Sequence, residues 1–167
     1  MSIRKLLARS ASSMSTWGLR HIARRPAANM PGKIALKLDP QIIAESMGKV
    51  TEGSIVVVGT NGKTTITNMI ADALERQGKT VACNRTGANL AYGVATTLLQ
   101  TKGSVEWGVF ESDELWLAHT LPQVQASYVL LLNLFRDQLD RCGEIDRVQD
   151  AIVQALSESP DTVLLYN

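Results

Sequence analysis

A glycine-rich loop between an apolar run and an amphipathic stretch constrains this chain more than any other feature. Residues 55–58 are four consecutive β-branched aliphatic residues, which predict a buried parallel strand. Residues 64–77 have the spacing of an amphipathic helix, and the loop before them reads Gly59-Thr60-Asn61-Gly62-Lys63-Thr64-Thr65. A strand, a glycine loop and a helix in this order are typical of phosphate binding, because loop amides and the helix N-terminus donate hydrogen bonds to an anion.

Two side chains of this loop suit a nucleoside triphosphate and its magnesium ion. Lys63 is placed to reach the terminal phosphates, and Thr64 to offer its hydroxyl to Mg²⁺. The common spacing of such loops has a further glycine where this chain has Val57, so the loop is an altered form. The alternative to nucleotide binding is an ordinary helix N-terminus capped by threonine, at which the lysine has no functional role. The predicted nucleotide-binding residues are Gly59, Thr60, Asn61, Gly62, Lys63, Thr64 and Thr65.

Predicted strands and helices alternate after residue 38. Apolar runs predict strands at 54–58, 80–83, 105–111, 127–134 and 162–165. Helical spacing predicts helices at 39–48, 64–77, 90–100 and 144–157. This alternation predicts an α/β fold, a doubly wound and mostly parallel sheet covered by helices on both faces.

Polar residues follow the predicted strands. In doubly wound folds ligands bind outside the carboxyl ends of the strands, so these residues should converge on one crevice. Glu111 follows the third strand and is the predicted magnesium ligand, since Mg²⁺ prefers oxygen ligands and keeps several waters. Lys63 and Glu111 are the predicted catalytic residues. Asp113 and Glu114 are expected to assist Glu111, or one of them to cap the next helix.

Two further groups are weaker candidates. The turn after the second strand contributes Asn84, Arg85 and Asn89 as candidate substrate residues. The exit of the fourth strand carries Arg136, Asp137, Asp140 and Arg141. Its aspartates are candidates for positioning a second metal or a substrate group, and ion pairing with the two arginines on a helix face is the alternative. The residues alone indicate Mg-ATP binding with phosphoryl transfer or hydrolysis, and they leave the acceptor open.

Residues 1–38 differ in charge from the rest of the chain. They carry eight of the 17 Lys and Arg residues and no acidic residue, which leaves 9 basic against 16 acidic residues after residue 38. We therefore predict a basic N-terminal segment, 1–38, and a globular body, 39–167. Pro26, Pro31 and Gly32 are expected to mark a break in the chain before the body.

The first 25 residues have three interpretations. An Arg- and Ser-rich segment without acids is typical of a mitochondrial transit peptide. The second interpretation is a basic amphipathic helix that lies on an anionic membrane surface. The third interpretation is a solvated helix that packs on its own domain. The candidate apolar contacts are Leu6, Leu7, Met14, Trp17 and Leu19. A secretory signal or a membrane span is not predicted, because Arg9 and a Ser-rich run interrupt the apolar residues.

Several motifs resemble the Mur ligase superfamily. The loop 59–65 resembles the ATP loop of that superfamily, which has the same short glycine spacing, and residues 133–143 resemble its N-x-x-x-D-H-x-D-x-x-G segment. More particular matches to the MurT branch, the ligase subunit of lipid II isoglutaminyl synthase, are residues 31–40, 84–90 and 133–141. The resemblance covers roughly residues 30–167. It implies that residues 39–167 are the N-terminal part of a Mur ligase-like ATP-binding central domain.

The chain departs from the wider superfamily at two positions. The metal-binding histidine of the superfamily falls on Gln138, an amide that coordinates more weakly, and MurT-type proteins share this glutamine. The lysine that many Mur ligases carbamylate falls at Ile152, which cannot serve. The resemblance therefore gives only weak support to a second metal site, with Asp137 and Gln138 as the lesser candidates for metal ligands.

The resemblance implies ATP-dependent amidation in peptidoglycan synthesis. ATP phosphorylates the α-carboxylate of D-glutamate in the lipid II stem peptide, and ammonia displaces the phosphate to leave D-isoglutamine. The implied cofactors are ATP and Mg²⁺, and the implied partners are lipid II and a glutamine amidotransferase subunit of the GatD type. No nucleic-acid partner is predicted. The implied location is cytoplasmic, with the basic N-terminus as a contact to the inner face of the cell membrane.

Part of the implied machinery lies outside these residues. The four-cysteine zinc ribbon and the C-terminal domain of the family would follow Asn167, so zinc is expected only there. Residues 1–167 alone are expected to bind nucleotide weakly and not to catalyse amidation. Two other functions remain open: a folylpolyglutamate synthase-like ligase, against which Gln138 and Ile152 count, and a P-loop switch protein, for which neither a Walker B aspartate nor a guanine-reading motif is found.

Overall fold

A computed structural model describes residues 3–21, 29–134 and 144–166 of the chain. The helices are α1 (Ile3–His21), α2 (Met30–Leu38), α3 (Ile42–Met47), α4 (Lys63–Arg76), α5 (Ala91–Gln100), α6 (Leu117–Val124) and α7 (Glu144–Ser157). The strands are β1 (Val50–Val58), β2 (Val81–Cys83), β3 (Val105–Glu111), β4 (Tyr128–Leu131) and β5 (Val163–Tyr166). A single turn of 3₁₀ helix, Glu114–Trp116, precedes α6.

The five strands form one sheet in the order β2-β3-β1-β4-β5, and every neighbouring pair is parallel. The predicted doubly wound, mostly parallel fold is confirmed. Val56, Val57 and Val58 of β1 are fully buried at the centre of the sheet, as a run of β-branched residues predicts. Because all strands run the same way, the residues that follow β1, β2, β3 and β4 lie along one edge of the sheet.

The strand order reverses between β1 and β4. From β1 the chain moves to β2 on one side of the sheet, whereas from β4 it moves to β5 on the other side. The loops that leave β1 and β4 therefore diverge and open a crevice between them, which is where doubly wound folds bind their ligands. The glycine-rich loop follows β1 at this point.

The predicted break is wrong at Pro31 and Gly32, and the third residue of that prediction, Pro26, lies outside the described residues. Pro31 and Gly32 lie in the first turn of α2, where the missing N–H of proline costs nothing because the first amides of a helix have no partner inside it. Helix α2 packs against α5, and the amide of Gly32 donates a hydrogen bond to Thr96 Oγ1 at 2.9 Å. Residues 30–38 are thus packed against the α/β body.

Helix α1 lies on α2 and buries one of its faces. Ala8 and Ser12 are buried against the body, which agrees with the interpretation of a helix packed on its own domain. Of the five candidate apolar contacts, Leu7, Met14 and Trp17 are exposed, and the side chains of Leu6 and Leu19 lie outside the described part of the structure. None of the helices among the described residues has the length and apolarity needed to cross a membrane.

Candidate functional site

The loop between β1 and α4 adopts a backbone that only glycine tolerates well at two positions. Gly59 has φ +138° and Gly62 has φ +87°, both in the left-handed region that L-side chains avoid. Gly62 is the N-cap of α4, which begins at Lys63. The amides of the first turn, Lys63 to Thr65, have no partner within the helix and are available to an anion, since the dipole of the helix also favours negative charge there.

Lys63 turns back over its own loop. Its ammonium donates hydrogen bonds to the carbonyl oxygens of Gly59 at 2.6 Å and Thr60 at 3.4 Å. It also pairs with Glu114 Oε1 at 3.4 Å, and both side chains are largely buried. The ammonium therefore lies over the loop, held by two loop carbonyls and by the Glu114 carboxylate.

Thr64 and Glu111 both lie next to Gly87. A Cβ on Gly87 would lie 3.3 Å from Thr64 Oγ1 and 3.8 Å from Glu111 Oε1, so these two side-chain oxygens border the gap that this glycine leaves. Glu111 is 2% exposed, and its Oε2 has no hydrogen-bond partner among the described residues. An unpartnered buried carboxylate oxygen is costly unless a cation or a donor joins it, so these oxygen ligands fit Mg²⁺.

Asn84 holds Glu111 in place. Its Oδ1 accepts a hydrogen bond from the amide of Glu111 at 2.9 Å, and its Nδ2 donates to the carbonyls of Glu111 at 3.0 Å and Ala88 at 2.8 Å. Asn84 is 3% exposed, and its amide is fully used inside the protein. The predicted substrate residue thus joins the end of β3 to the turn that carries Gly87.

The two acids after Glu111 have separate roles. Asp113 caps the 3₁₀ turn, because its Oδ1 accepts a hydrogen bond from the amide of Leu115 at 3.1 Å. Glu114 pairs with Lys63. From the sequence alone, either residue could have been the helix cap. The structure shows that Asp113 is the cap and that Glu114 pairs with Lys63.

The other candidate residues lie around this centre or outside the described part. The guanidinium of Arg85 binds Asp72 at 2.7 Å and Glu75 at 2.9 Å on α4, and these carboxylates raise its pKa. The carbonyl of Asn89 accepts a hydrogen bond from the amide of Asp113 at 2.8 Å. Thr65 is exposed in the first turn of α4. Asp137, Gln138 and the neighbouring Arg136, Asp140 and Arg141 lie outside the described residues.

Sequence reasoning missed Gly87. The residue was part of the polar turn 84–89, but a glycine in a turn is usually explained by local conformation, and its φ of +75° supplies that reason too. Its second role, leaving space between Thr64 and Glu111, depends on how the turn packs against α4.

Beside the loop lies an open, mostly apolar pocket of about 450 Å³ lined by Ile66, Leu131 and Tyr166 among others.

Comparisons with known proteins agree with this arrangement. The Mur ligase middle domain matches residues 57–167. The MurT subunit of lipid II isoglutaminyl synthase (glutamine-hydrolyzing) from Streptococcus pneumoniae is 35% identical over 170 residues, an alignment that covers 100% of this chain and 37% of that protein. The corresponding subunit of Staphylococcus aureus strain COL is 33% identical and covers 91% of this chain and 37% of that protein. The chain thus spans about 37% of the length of these curated relatives.

Solved structures show the same fold. MurF from Thermotoga maritima in complex with ADP matches with a TM-score of 0.63 and 19% identity, over 81% of this chain and 36% of that chain. MurF from Acinetobacter baumannii matches with a TM-score of 0.63 and 18% identity, over 80% of this chain and 34% of that chain. The resemblance drawn from the loop at 59–65 is confirmed by the domain match, which takes in most of the sheet and the whole candidate site. The chain therefore belongs to the Mur ligase family, and its residues 57–167 match the middle domain of that family.

Proposed function

We propose that this chain carries the magnesium–nucleotide site of an ATP-dependent carbon–nitrogen ligase. The observation that carries the proposal is the gap at Gly87, where the hydroxyl of Thr64 and the buried carboxylate of Glu111 meet beside a phosphate-binding loop. Neither the loop nor the carboxylate would be informative alone. Together they supply donors for phosphate oxygens on one side and oxygen ligands for a divalent cation on the other.

Each residue of the site has a defined task in this proposal. The first amides of α4 bind the phosphates of ATP, and Lys63 leaves the carbonyls of Gly59 and Thr60 to stabilise charge on the transferred phosphoryl group. Thr64 and Glu111 hold Mg²⁺, which when bound neutralises charge on the phosphate oxygens. Asn84 holds the backbone of Glu111 so that its carboxylate stays close to Thr64. Glu114 holds Lys63 near the loop until the phosphates arrive.

The acceptor in this proposal is the D-glutamate α-carboxylate of lipid II. A carboxylate oxygen attacks the γ-phosphorus, the bond to ADP breaks, and an acyl phosphate forms. Ammonia then forms the C–N bond, phosphate leaves, and a proton is released from nitrogen. Similarity to MurT subunits supports this choice, because their name describes an isoglutaminyl synthase that hydrolyses glutamine. A GatD-type glutaminase subunit is accordingly the proposed source of ammonia.

The test of this function uses the protein at its full encoded length. With lipid II, ATP, Mg²⁺ and either ammonium or a GatD-type glutaminase with glutamine, we expect ADP, phosphate and amidated stem peptide in equal amounts. Mass spectrometry of the stem peptide and a phosphate assay measure these products. Addition of an amino acid to the stem peptide, or ATP hydrolysis without an amidated product, would contradict the proposed acceptor. Unchanged amidation after magnesium chelation would contradict the proposed metal site.

We also propose that α1 contacts the anionic inner face of the cell membrane. Its exposed Leu7, Met14 and Trp17 supply apolar contact, and the segment 1–38 carries eight basic residues and no acid. The full-length protein should sediment with phosphatidylglycerol vesicles and not with phosphatidylcholine vesicles. Met14→Ser should weaken this binding several-fold, whereas Met69→Ser, at another exposed helical methionine, should not. Equal binding by both variants, or no binding because the rest of the protein covers α1, would overturn the proposal.

A further inference from the structure

One residue at the exit of β4 joins that strand to the phosphate-binding loop. The carbonyl of Asn133 accepts a hydrogen bond from the amide of Thr60 at 2.9 Å. Its side-chain Oδ1 accepts from the amide of Asn61 at 3.0 Å, and its Nδ2 donates to the carbonyl of Asn61 at 3.1 Å. The carboxamide therefore binds both main-chain polar groups of Asn61, in the manner of a neighbouring strand.

Gly59 makes this close approach possible. A Cβ on Gly59 would lie 3.0 Å from the backbone nitrogen and 3.0 Å from the backbone oxygen of Asn133, and the φ of Gly59 is +138°. Any side chain at residue 59 would strain the loop and push it away from the exit of β4. The absence of a side chain at Gly59, the first glycine of the motif, thus allows the loop to contact the backbone of Asn133.

These contacts divide the amides of the loop into two groups. The amides of Thr60 and Asn61 are used by Asn133 and are not available to a phosphate. Gly62 and the first turn of α4 supply the remaining donors. The phosphates are therefore bound by the second half of the motif, while its first half is held against β4.

We propose that Asn133 is a positioning residue of the nucleotide site. It contacts no nucleotide itself and keeps the loop in its phosphate-binding form before the ligand arrives, so that less conformational entropy is lost on binding. The proposal rests on the proposed nucleotide binding, although its effect on the loop amides is independent of any ligand.

The experiment compares the wild-type chain with Asn133→Ala and Asn133→Asp. Alanine removes both side-chain hydrogen bonds, and aspartate keeps the shape and the acceptor but loses the donor. We expect MgADP to bind Asn133→Ala about tenfold more weakly by calorimetry, which corresponds to about 1.4 kcal/mol. Hydrogen exchange of the Asn61 amide should accelerate at least about tenfold while the amides of β1 keep their protection. Asn29→Ala, at an exposed asparagine without a side-chain cap hydrogen bond, is the matched control and should change neither value.

The outcomes separate this inference from the proposed function. If the wild-type chain and the full-length protein both fail to bind MgADP, the proposed function is wrong, and the exchange of the Asn61 amide still tests the role of Asn133. If Asn133→Ala binds MgADP as the wild type does, or its Asn61 amide exchanges as slowly, the positioning role is overturned. Should Asn133→Ala not fold, Asn133→Asp decides by calorimetry, because it loses only the donor to the Asn61 carbonyl and keeps the acceptor for the Asn61 amide. MgADP binding by Asn133→Asp equal to that of the wild type would overturn the positioning role.

Discussion

Glu111→Gln is expected to remove the magnesium dependence of nucleotide binding and to lower ATP-dependent turnover of the full-length protein at least about 100-fold. Glutamine has the size of glutamate, and the main-chain hydrogen bonds to Asn84 do not involve the substituted group. What it removes is the negative charge beside Thr64, and Mg²⁺ binds a neutral amide much less well than a carboxylate. ADP binding by calorimetry, with Mg²⁺ and with EDTA, measures the first effect.

The fold should survive this substitution. The Oε2 atom of Glu111 is buried without a hydrogen-bond partner among the described residues, so glutamine removes a poorly compensated charge and should cost no more than about 1 kcal/mol of unfolding free energy. Glu158→Gln, at an exposed residue after α7, is the matched control and should keep the magnesium effect. Magnesium-dependent ADP binding that persists in Glu111→Gln would remove this residue from the site.

Gly87 offers an independent check on the same centre. In Gly87→Ala, the methyl group would lie 3.3 Å from Thr64 Oγ1 in a backbone with φ +75°, so the turn must move and the gap for the cation closes. Loss of magnesium-dependent binding in both Glu111→Gln and Gly87→Ala, with Thr64 and Glu111 unchanged in the second, would locate the cation between these two side chains. Normal binding in Gly87→Ala would place it elsewhere.

Gly32→Ala is expected to destabilise the chain by about 3 kcal/mol, the largest effect on stability that we predict. The added Cβ would lie 1.9 Å from the carbonyl oxygen of Tyr92 and 2.7 Å from Thr96 Oγ1, both on α5. Backbone atoms cannot yield as a flexible side chain does, so α2 must move away from α5. This movement also lengthens the hydrogen bond from the amide of Gly32 to Thr96.

Urea unfolding followed by circular dichroism measures this change as a lower midpoint with an unchanged slope. The control is Gly48→Ala, because Gly48 has a helical φ of −57° and its added Cβ would lie 3.7 Å from the carbonyl oxygen of Glu45. That variant should be unchanged or more stable by up to about 1 kcal/mol. Similar midpoints for the two variants would mean that the α2–α5 contact is looser than the structure indicates.

The strand, loop and helix around Lys63 were predictable because their signals are local. Four β-branched residues, a glycine turn and a helical repeat occupy consecutive residues, and each agrees with the next. Predicted bounds differ from the observed ones by a few residues, as for β4, which ends at Leu131. There the predicted strand extends to residue 134, but the observed strand ends before Leu132, whose amide donates a hydrogen bond to the carbonyl of Val58 beside the loop.

Glu111 was predictable by a rule about folds and not by its neighbours in the chain. A parallel sheet brings the exits of its strands to one edge, so an acid after β3 had to approach the loop after β1. Helix α2 was missed because Pro31 and Gly32 are read as breakers. Proline is tolerated in a first helical turn, and glycine is required here by α5, which lies 64 residues further along the chain at Thr96.

Local sequence patterns and tertiary packing thus determine different features of this protein. The pattern of consecutive residues specifies a parallel α/β sheet with a glycine-rich loop between its first strand and the following helix, since strand and helix periodicity and turn chemistry depend on near neighbours. Packing alone settles that Glu114 pairs with Lys63, that Gly87 leaves the space between Thr64 and Glu111, and that Asn133 binds the loop. These pairings join residues far apart in the chain, and only the folded sheet, through its strand order, brings them within hydrogen-bonding distance.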